Sequence, residues 1–163
     1  MKIVSDYFAF QRFKMRRVVV DDIDALVALI NEAYSYQDKV KGEPRTNPEH
    51  LRKRISETDF YVLVQNGIIE GCVYVESKDT ALHFGLLTVT PQWRGTGLAQ
   101  ATMQAVQDYA LANQYKTLEL DYMSLAPWLK KHYEQYGFQE TGQVLEWGQI
   151  DLIRMKKDLL LDS

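Results

Sequence analysis

The sequence predicts a single α/β domain built on a mixed, mostly antiparallel β-sheet. Residues 83–113 combine an apolar branched run, a glycine-containing turn and a long helical repeat, which predicts a strand followed by a helix. Two other apolar runs flank Asn66-Gly67, the strongest short signal for a tight antiparallel hairpin. A strand that follows a strand and a helix normally pairs in parallel, so residues 117–121 should lie beside residues 83–89.

Composition limits the classes of protein to consider. The chain has 163 residues and a net charge of −3, with charges of both signs interspersed, so we expect one domain and no nucleic-acid partner. The one cysteine, Cys72, lies in an apolar run, which excludes a disulfide within the chain and predicts a core residue. No apolar run reaches membrane-spanning length and no signal-peptide pattern occurs, so we expect a cytoplasmic protein without a membrane partner.

The first part of the chain predicts a strand and two helices. Residues 1–12 are taken as an N-terminal extension, either an extra strand or loose, and residues 13–163 as the domain. A strand over 13–20 precedes Asp21 and Asp22, which offer an N-cap to a helix with apolar residues at steps of three and four. Residues 35–47 predict a loop, and Asn47-Pro48 predicts the start of a second helix.

The remaining elements follow the same rules. Strands are predicted over 60–64, 68–76 and 83–90, a helix over 125–136 ending at Gly137, and a final hairpin over 139–145 and 150–155. The helix from Leu98 should bury one face, formed by Leu98, Ala101, Ala105, Tyr109 and Ala112.

The turn between residues 92 and 97 carries the clearest chemical signal. Gly95 and Gly97 have no Cβ, so a bulky anion can approach the main chain there. The amides of residues 95–99 would point outward at the positive end of the helix dipole, a natural site for a phosphate or pyrophosphate. Arg94 can add a guanidinium to the same phosphates.

Two phosphate-binding motifs fit this turn poorly. A P-loop needs Lys and then Ser or Thr after its second glycine, where this chain has Leu98-Ala99. A dinucleotide fingerprint needs a third Gly or Ala where Gln100 stands, and it belongs to a first strand-helix unit rather than one past mid-chain. A glycine-bearing turn into an ordinary helix is the other alternative.

The sequence LTVTPQWRGTGLA, residues 87–99, resembles the acetyl-CoA-binding signature of the GNAT acetyltransferase superfamily, Q/R-x-x-G-x-G/A after an L-x-V-x-P strand. The resemblance implies a sheet of about seven strands flanked by about four helices, splayed where the pantetheine arm of acetyl-CoA inserts. It implies no metal cofactor. The cofactor-binding positions that it implies are Leu87, Thr88, Val89, Gln92, Arg94, Gly95, Thr96, Gly97, Leu98 and Ala99.

A second segment, YEQYGF over residues 133–138, resembles the GNAT motif Y-E-x-x-G-F. By that match Tyr133 takes the place of the tyrosine that protonates the departing thiolate. A tyrosine is protonated at neutral pH, which agrees with an acid role. The chain departs from the family at Ala126 and Leu129, where Asn and Ala are common.

The resemblance also indicates a base and an acceptor site. The central-strand position that often holds a catalytic Glu in this family falls on His83, whose imidazole suits proton transfer near neutral pH. Glu76, Glu119 and Asp121 are the alternative candidates for the base. The helix-loop-helix of the family borders the acceptor pocket, which makes Tyr34, Tyr36 and Arg45 candidate acceptor contacts, with Arg45 suited to a carboxylate.

The expected function is acetyl transfer from acetyl-CoA to a primary amine of a small metabolite, directly in a ternary complex. One alternative is a protein N-terminal or lysine acetyltransferase, which should have an open peptide groove between the first helical pair and the last hairpin. A metabolite enzyme should have a closed pocket. Another alternative is a non-catalytic acyl-CoA-binding regulatory domain. The sequence names neither the acceptor nor the oligomeric state, and a homodimer stays open.

Overall fold

The computed structural model of the chain describes residues 1–159, which form one seven-stranded sheet flanked by five α-helices. The strands are β1 Lys14–Arg17, β2 Asp59–Gln65, β3 Ile68–Lys78, β4 Ala81–Val89, β5 Thr117–Met123, β6 Gln139–Trp147 and β7 Ile150–Asp158. The helices are α1 Ile23–Ala33, α2 Asp38–Lys41, α3 Pro48–Glu57, α4 Leu98–Ala112 and α5 Trp128–Glu134.

The sheet has the order β1-β2-β3-β4-β5-β7-β6, and only β4 and β5 pair in parallel. The predicted hairpin joins β2 to β3 at Asn66-Gly67, where both residues have positive φ, 53° and 75°. Positive φ at both central residues is the type I′ geometry that favours this dipeptide. The predicted mixed, mostly antiparallel α/β fold is confirmed.

The parallel pairing of β4 with β5 is short, and this positions the site. It covers three residue pairs and ends at His83 and Glu119. Beyond that point β4 shifts register against β3, and Leu86 takes a φ of 50°, which is uncommon for a branched side chain. The two strands therefore separate along residues 84–89 and leave a slot in the middle of the sheet.

Each face of the sheet carries its own core. Helices α1 and α3 cover one face, where Leu26, Ile30 and Leu51 pack on the strands. Helix α4 covers the other face, where Leu98 and Val106 pack. Cys72 lies fully buried in the first core, as predicted, and burial raises the pKa of its thiol to about 12.

Three local predictions are corrected. Asp22 does not cap α1, because its backbone is already helical and its carboxylate accepts from the Val19 amide at 2.8 Å and from Arg16 at 2.8 and 3.0 Å. The expected loop over 35–47 contains a 3-10 turn, Ser35–Gln37, and the single turn of α2. The helix predicted over 125–136 begins only at Trp128, after Pro127, and ends in a Schellman motif at Gly137.

The buried face of α4 also differs from the prediction. Ala101 and Tyr109 are half-buried and Ala112 is exposed. The helix buries Thr102 instead, because its hydroxyl donates to the Leu98 carbonyl at 2.9 Å and so leaves no unpaired polar group. The buried residues are Leu98, Thr102, Met103, Ala105, Val106 and Ala110.

The N-terminal extension packs against α4. It forms a 3-10 turn, Val4–Tyr7, rather than a strand, with Val4 fully buried and the Tyr7 ring against Tyr109 at 6.3 Å. Within residues 1–159 the longest helix, α4, has 15 residues, and none of the helices is long and apolar enough to cross a membrane.

Candidate active site

A cavity of about 210 Å³ opens where β4 and β5 separate, and most of the predicted catalytic and acceptor residues line it. The segment between α1 and α3, strand β4 and helix α5 contribute these side chains. The predicted residues in its wall are Tyr34, Tyr36, Arg45, His83 and Tyr133. The structure thus brings together five residues from four separate parts of the chain.

His83, in the wall of this cavity, forms a hydrogen bond with Glu119. Nδ1 of His83 lies 2.7 Å from Oε1 of Glu119, and the His83 residue is only 4% exposed. Burial lowers the pKa of His83, and the hydrogen bond to Glu119 opposes that shift. The imidazole is therefore neutral near pH 7, with one nitrogen fixed by the carboxylate.

Arg154 of β7 holds the carboxylates of Glu119 and Asp121 in place. Its Nε lies 3.2 Å from Oε1 of Glu119 and 2.9 Å from Oδ1 of Asp121, and its Nη2 reaches Oδ2 of Asp121 at 3.2 Å. Lys78 approaches Glu119 at 3.7 Å. Three adjacent strands thus fix the orientation of the His83 ring through one polar network.

Tyr74 divides the cavity, and the sequence analysis did not select it. Its ring stacks on His83 with centroids 6.2 Å apart, and its hydroxyl lies 3.5 Å from Nη1 of Arg54. A Cβ on Gly85 would lie 2.5 Å from this hydroxyl, so only glycine leaves room for the ring. The glycine interrupting the apolar run of β4 was the available signal, because such a glycine often marks a close approach.

Tyr133 lies in the wall that α5 contributes. Its ring packs edge-on against Phe138 at 6.0 Å and against His132 at 5.2 Å. Burial, with a smaller contribution from Tyr36, raises the pKa of Tyr133 to about 12. The phenol is therefore protonated throughout the neutral range and can act as a proton donor.

A second cavity, of about 180 Å³, lies beside the glycine turn. Gly95 has a φ of 76° with no atom within 4 Å of the position of a Cβ, and Gly97 has a φ of 99°. His132, which the sequence analysis also missed, lines this cavity from α5, and burial lowers its pKa. The turn therefore forms an open cradle whose far wall is aromatic.

The turn presents most of the amides that the sequence predicted. Among residues 1–159 the amides of Gly95, Gly97, Leu98 and Ala99 have no hydrogen-bond acceptor. The Thr96 amide differs, since it approaches the Trp93 carbonyl at 3.3 Å, and the Thr96 hydroxyl donates to the same carbonyl at 2.6 Å. These four amides, two in the glycine turn and two in the first turn of the 15-residue helix α4, are available to an anion.

The two polar side chains predicted to assist the turn have partners of their own. Arg94 is half exposed and lies 3.1 Å from Oε2 of Glu32 on α1. Gln92 donates from its side chain to Glu70 on β3. Neither side chain is directed at the free amides in this conformation.

The remaining predicted positions lie on the edge of the slot. Leu87 and Val89 of β4 are half-buried and follow the last residue pair with β5. Thr88 is buried, and its hydroxyl donates to the Leu86 carbonyl at 2.9 Å. The β4 main chain over residues 87–89 therefore faces the slot without a pairing strand on that side.

Comparison with known proteins agrees with this geometry. The family profile described as an acetyltransferase (GNAT) domain matches residues 30–159, from the end of α1 to the end of the described chain. The chain belongs to the GNAT acetyltransferase family. The predicted family and the predicted class of acyl-CoA-dependent N-acyltransferase are thereby confirmed.

Two curated relatives carry the name N-acetylaspartate synthetase. The protein from Danio rerio is 28% identical over 90 residues, which are 54% of this chain and 32% of the relative. The protein from Xenopus tropicalis is 29% identical over 87 residues, which are 52% of this chain and 32% of the relative. The chain thus matches about a third of the length of these relatives.

Solved GNAT structures share the fold at low sequence identity. A Streptococcus mutans protein, smu.2055, has a TM-score of 0.74 at 20% identity and covers 89% of this chain and 98% of its own. The PaiA N-acetyltransferase of Thermoplasma acidophilum, solved with coenzyme A, has a TM-score of 0.72 at 11% identity and covers 91% of this chain and 100% of its own. At these identities the likeness shows the fold alone.

Proposed function

We propose that this chain transfers an acetyl group from acetyl-CoA to a primary amine of a small molecule, directly in a ternary complex. The observation that carries the proposal is that His83, hydrogen-bonded to Glu119, lines the same cavity as Tyr133 at the point where the sheet opens. A base, an acid and an open slot in the sheet together meet the needs of acyl transfer to an amine.

The glycine turn fits the pyrophosphate of acetyl-CoA. The amides of Gly95, Gly97, Leu98 and Ala99 would hold it, and the open φ-positive backbone at Gly95 leaves room for the phosphates. The main chain of residues 87–89 would pair with the pantetheine arm as a strand would. When bound, acetyl-CoA supplies the carbonyl carbon that the amine attacks and the thiolate that leaves.

A bound ammonium group loses two protons, one before its nitrogen attacks and one as the new C–N bond forms. His83 accepts each in turn and passes the first to solvent before it takes up the second. An amine of pKa near 10.4 is neutral in only about one molecule in a few thousand at pH 7, so a proton acceptor beside it is needed. The lowered pKa of His83 keeps its imidazole neutral and ready to accept. Glu119 fixes the ring and stabilises the imidazolium that results.

Tyr133 donates a proton to the departing sulfur as the C–S bond breaks. Its pKa, raised to about 12 by burial, keeps the donor protonated before the reaction. The second proton collected by His83 also leaves to solvent, and Tyr133 regains one from solvent, so both residues return to their starting states. The only cysteine, Cys72, is buried with a raised thiol pKa, which supports direct transfer over an acyl-cysteine step.

Contacts between the α2 region and the β6–β7 hairpin favour a small acceptor over a polypeptide. Nζ of Lys41 lies 3.7 Å from the centre of the Trp147 ring, and Arg45 stacks on the same ring at 4.8 Å. These contacts join the α2 region to the β6–β7 hairpin, where a protein acetyltransferase should have an open groove. The names of the two curated relatives add an amino acid to the acceptors worth testing.

The test is a thiol-release assay of the purified chain with acetyl-CoA and a panel of small primary amines and peptides. We expect CoA release that depends on a small amine and falls at least a hundredfold in His83→Ala. Transfer to peptide amines alone would support the protein-directed alternative. Tight acetyl-CoA binding without release for any amine would support the non-catalytic alternative and overturn the proposal.

A further inference from the structure

Two arginine side chains enter the acceptor cavity without an acidic partner. Within residues 1–159, no carboxylate lies within 4 Å of the guanidinium of Arg45 or Arg54. Both line the same cavity, Arg45 from the loop before α3 and Arg54 from α3 itself. The cavity therefore carries two uncompensated positive charges at its α2–α3 end.

Aromatic rings, rather than acids, hold these guanidinium groups. Arg45 lies between Tyr34 at 5.6 Å and Trp147 at 4.8 Å, while Arg54 lies over Tyr74 at 4.9 Å. Nε of Arg45 is buried and has no hydrogen-bond partner among residues 1–159. A buried, unpaired donor on a charged group costs free energy that a bound anion would recover.

Burial of its charge disfavours the protonated form of Arg45. Burial lowers its pKa, and the neighbouring charge of Arg54 adds to that shift. An arginine nevertheless stays protonated in proteins, so the site keeps its positive charge. Planar guanidinium groups bind carboxylates with paired hydrogen bonds, which makes a carboxylate the best-matched ligand.

The His83 end of the cavity carries one carboxylate that has no cationic partner among residues 1–159. Glu76 of β3 lies directly across from His83 in the register, and no cation lies within 4 Å of its carboxylate in the described chain. Asp121 lies nearby and is already paired with Arg154. Tyr74 separates the two ends, with its ring against His83 and its hydroxyl at Arg54.

We propose that the acceptor is a free acidic amino acid, bound through its two carboxylates by Arg45 and Arg54 and through its ammonium group by Glu76 beside His83. This inference rests on the proposed function and specifies its acceptor. Two unpaired guanidinium groups and one unpaired carboxylate complement two carboxylates and one ammonium group. The arrangement places the amine at the His83 end, where its proton has to be removed.

The first test needs no variant. CoA release is measured with aspartate or glutamate, with asparagine or glutamine, and with propylamine, which carry two, one and no carboxylates. We expect kcat/KM to fall about tenfold to a hundredfold for each carboxylate removed. Equal or better transfer to propylamine would overturn the acidic-acceptor inference while leaving acetyl transfer to amines intact. No release with any amine would instead refute the proposed function.

The second test assigns the two arginines. Arg45→Met and Arg54→Met should each raise the KM for the acidic acceptor about tenfold to a hundredfold and leave the KM for acetyl-CoA unchanged. Arg52→Gln, on the exposed side of α3, is the matched control and should change neither. Unchanged acceptor KM in both methionine variants would overturn the assignment. If these variants do not fold, Arg45→Lys and Arg54→Lys keep the charge, and the acceptor series above remains decisive.

Discussion

Nδ1 of His83 lies 2.7 Å from Oε1 of Glu119, across the last residue pair that joins β4 to β5. The strands separate immediately after this pair, so the base lies at the point where the slot begins. A hydrogen bond to Nδ1 leaves the other ring nitrogen, Nε2, as the group that can accept a proton from the cavity. Both the position of the base and its tautomer thus follow from one contact between neighbouring strands.

The pH dependence of the reaction should report this contact. Because burial lowers the pKa of His83, kcat/KM should rise with pH through a midpoint below the ordinary histidine value of 6.5 and then level off. Glu119→Gln replaces the charged acceptor that raises this pKa by a neutral amide, so the midpoint should move to lower pH. The maximal rate should fall about tenfold to a hundredfold, because the amide stabilises the imidazolium less well. A profile of Glu119→Gln superimposable on that of the wild type would contradict the assigned pair.

Removal of the Tyr133 hydroxyl tests whether Tyr133 is the proton donor to the leaving thiolate. Tyr133→Phe keeps the ring contacts with Phe138 and His132, so the fold should be retained. We expect kcat to fall about a hundredfold or more with little change in the KM for acetyl-CoA, since the hydroxyl acts when the thiolate departs. Steady-state kinetics measures both constants. Unchanged turnover would show that the leaving sulfur needs no proton from Tyr133.

A substitution at Gly95 should weaken acetyl-CoA binding more than it affects the fold. Gly95→Val places a branched side chain in the open cradle at a φ of 76°. Calorimetric titration with acetyl-CoA should show at least a tenfold loss of affinity, because the side chain blocks the free amides. Gly142→Val is the matched control, since Gly142 also has positive φ, 87°, and no atom within 4 Å of a Cβ, but lies on the edge strand β6. Equal loss of affinity in both variants would attribute the effect to backbone strain.

The contact between Arg94 and Glu32 predicts effects of opposite sign. Glu32→Gln frees the guanidinium for the phosphates and should tighten acetyl-CoA binding, by up to about fivefold for an exposed ion pair. Arg94→Gln should weaken binding. Both effects should fade at high salt, because the groups are half exposed. Loss of affinity in Glu32→Gln would show that the ion pair helps to form the site.

Gly85 tests the packing of Tyr74. Gly85→Ala would place a methyl group 2.5 Å from the tyrosine hydroxyl, so the ring must leave its place between His83 and Arg54. We expect the free energy of unfolding to fall by about 1–3 kcal/mol, together with a raised acceptor KM. Urea denaturation measures the first quantity. In the double variant Gly85→Ala/Tyr74→Ala the loss should be smaller than the sum of the single losses, and additive losses would argue against the clash.

Local sequence signals predicted most of the fold. Asn66-Gly67, Asn47-Pro48 and the strand-turn-helix of residues 83–113 are specified by nearby residues, and each has the predicted conformation. The errors arose where a side-chain hydrogen bond, rather than the apolar pattern or the capping rule, decides the outcome. The Asp22 carboxylate accepts a hydrogen bond from Arg16 instead of capping α1. The Thr102 hydroxyl donates to the Leu98 carbonyl, so Thr102 is buried and the buried face of α4 differs from the predicted one.

Some residues of the candidate site belong to sequence motifs, and others are brought to it only by the fold. His83, Tyr133 and the glycine turn belong to local motifs, and the sequence predicted their place near one another. Arg54 and Tyr74 belong to no motif, and they enter the cavity only because β3, β4 and α3 meet there. Glu119 was one of three alternative candidates for the base. Only the parallel register of β5 with β4 shows that it forms a hydrogen bond with His83.

The most direct test of direct transfer is a grid of initial rates over acetyl-CoA and acceptor concentrations with the wild-type chain. Binding of both substrates before chemistry predicts double-reciprocal lines that intersect, since the donor slot and the acceptor cavity adjoin at His83. Parallel lines, with an acetylated protein trapped in the absence of acceptor, would indicate a covalent acyl-enzyme and contradict the account.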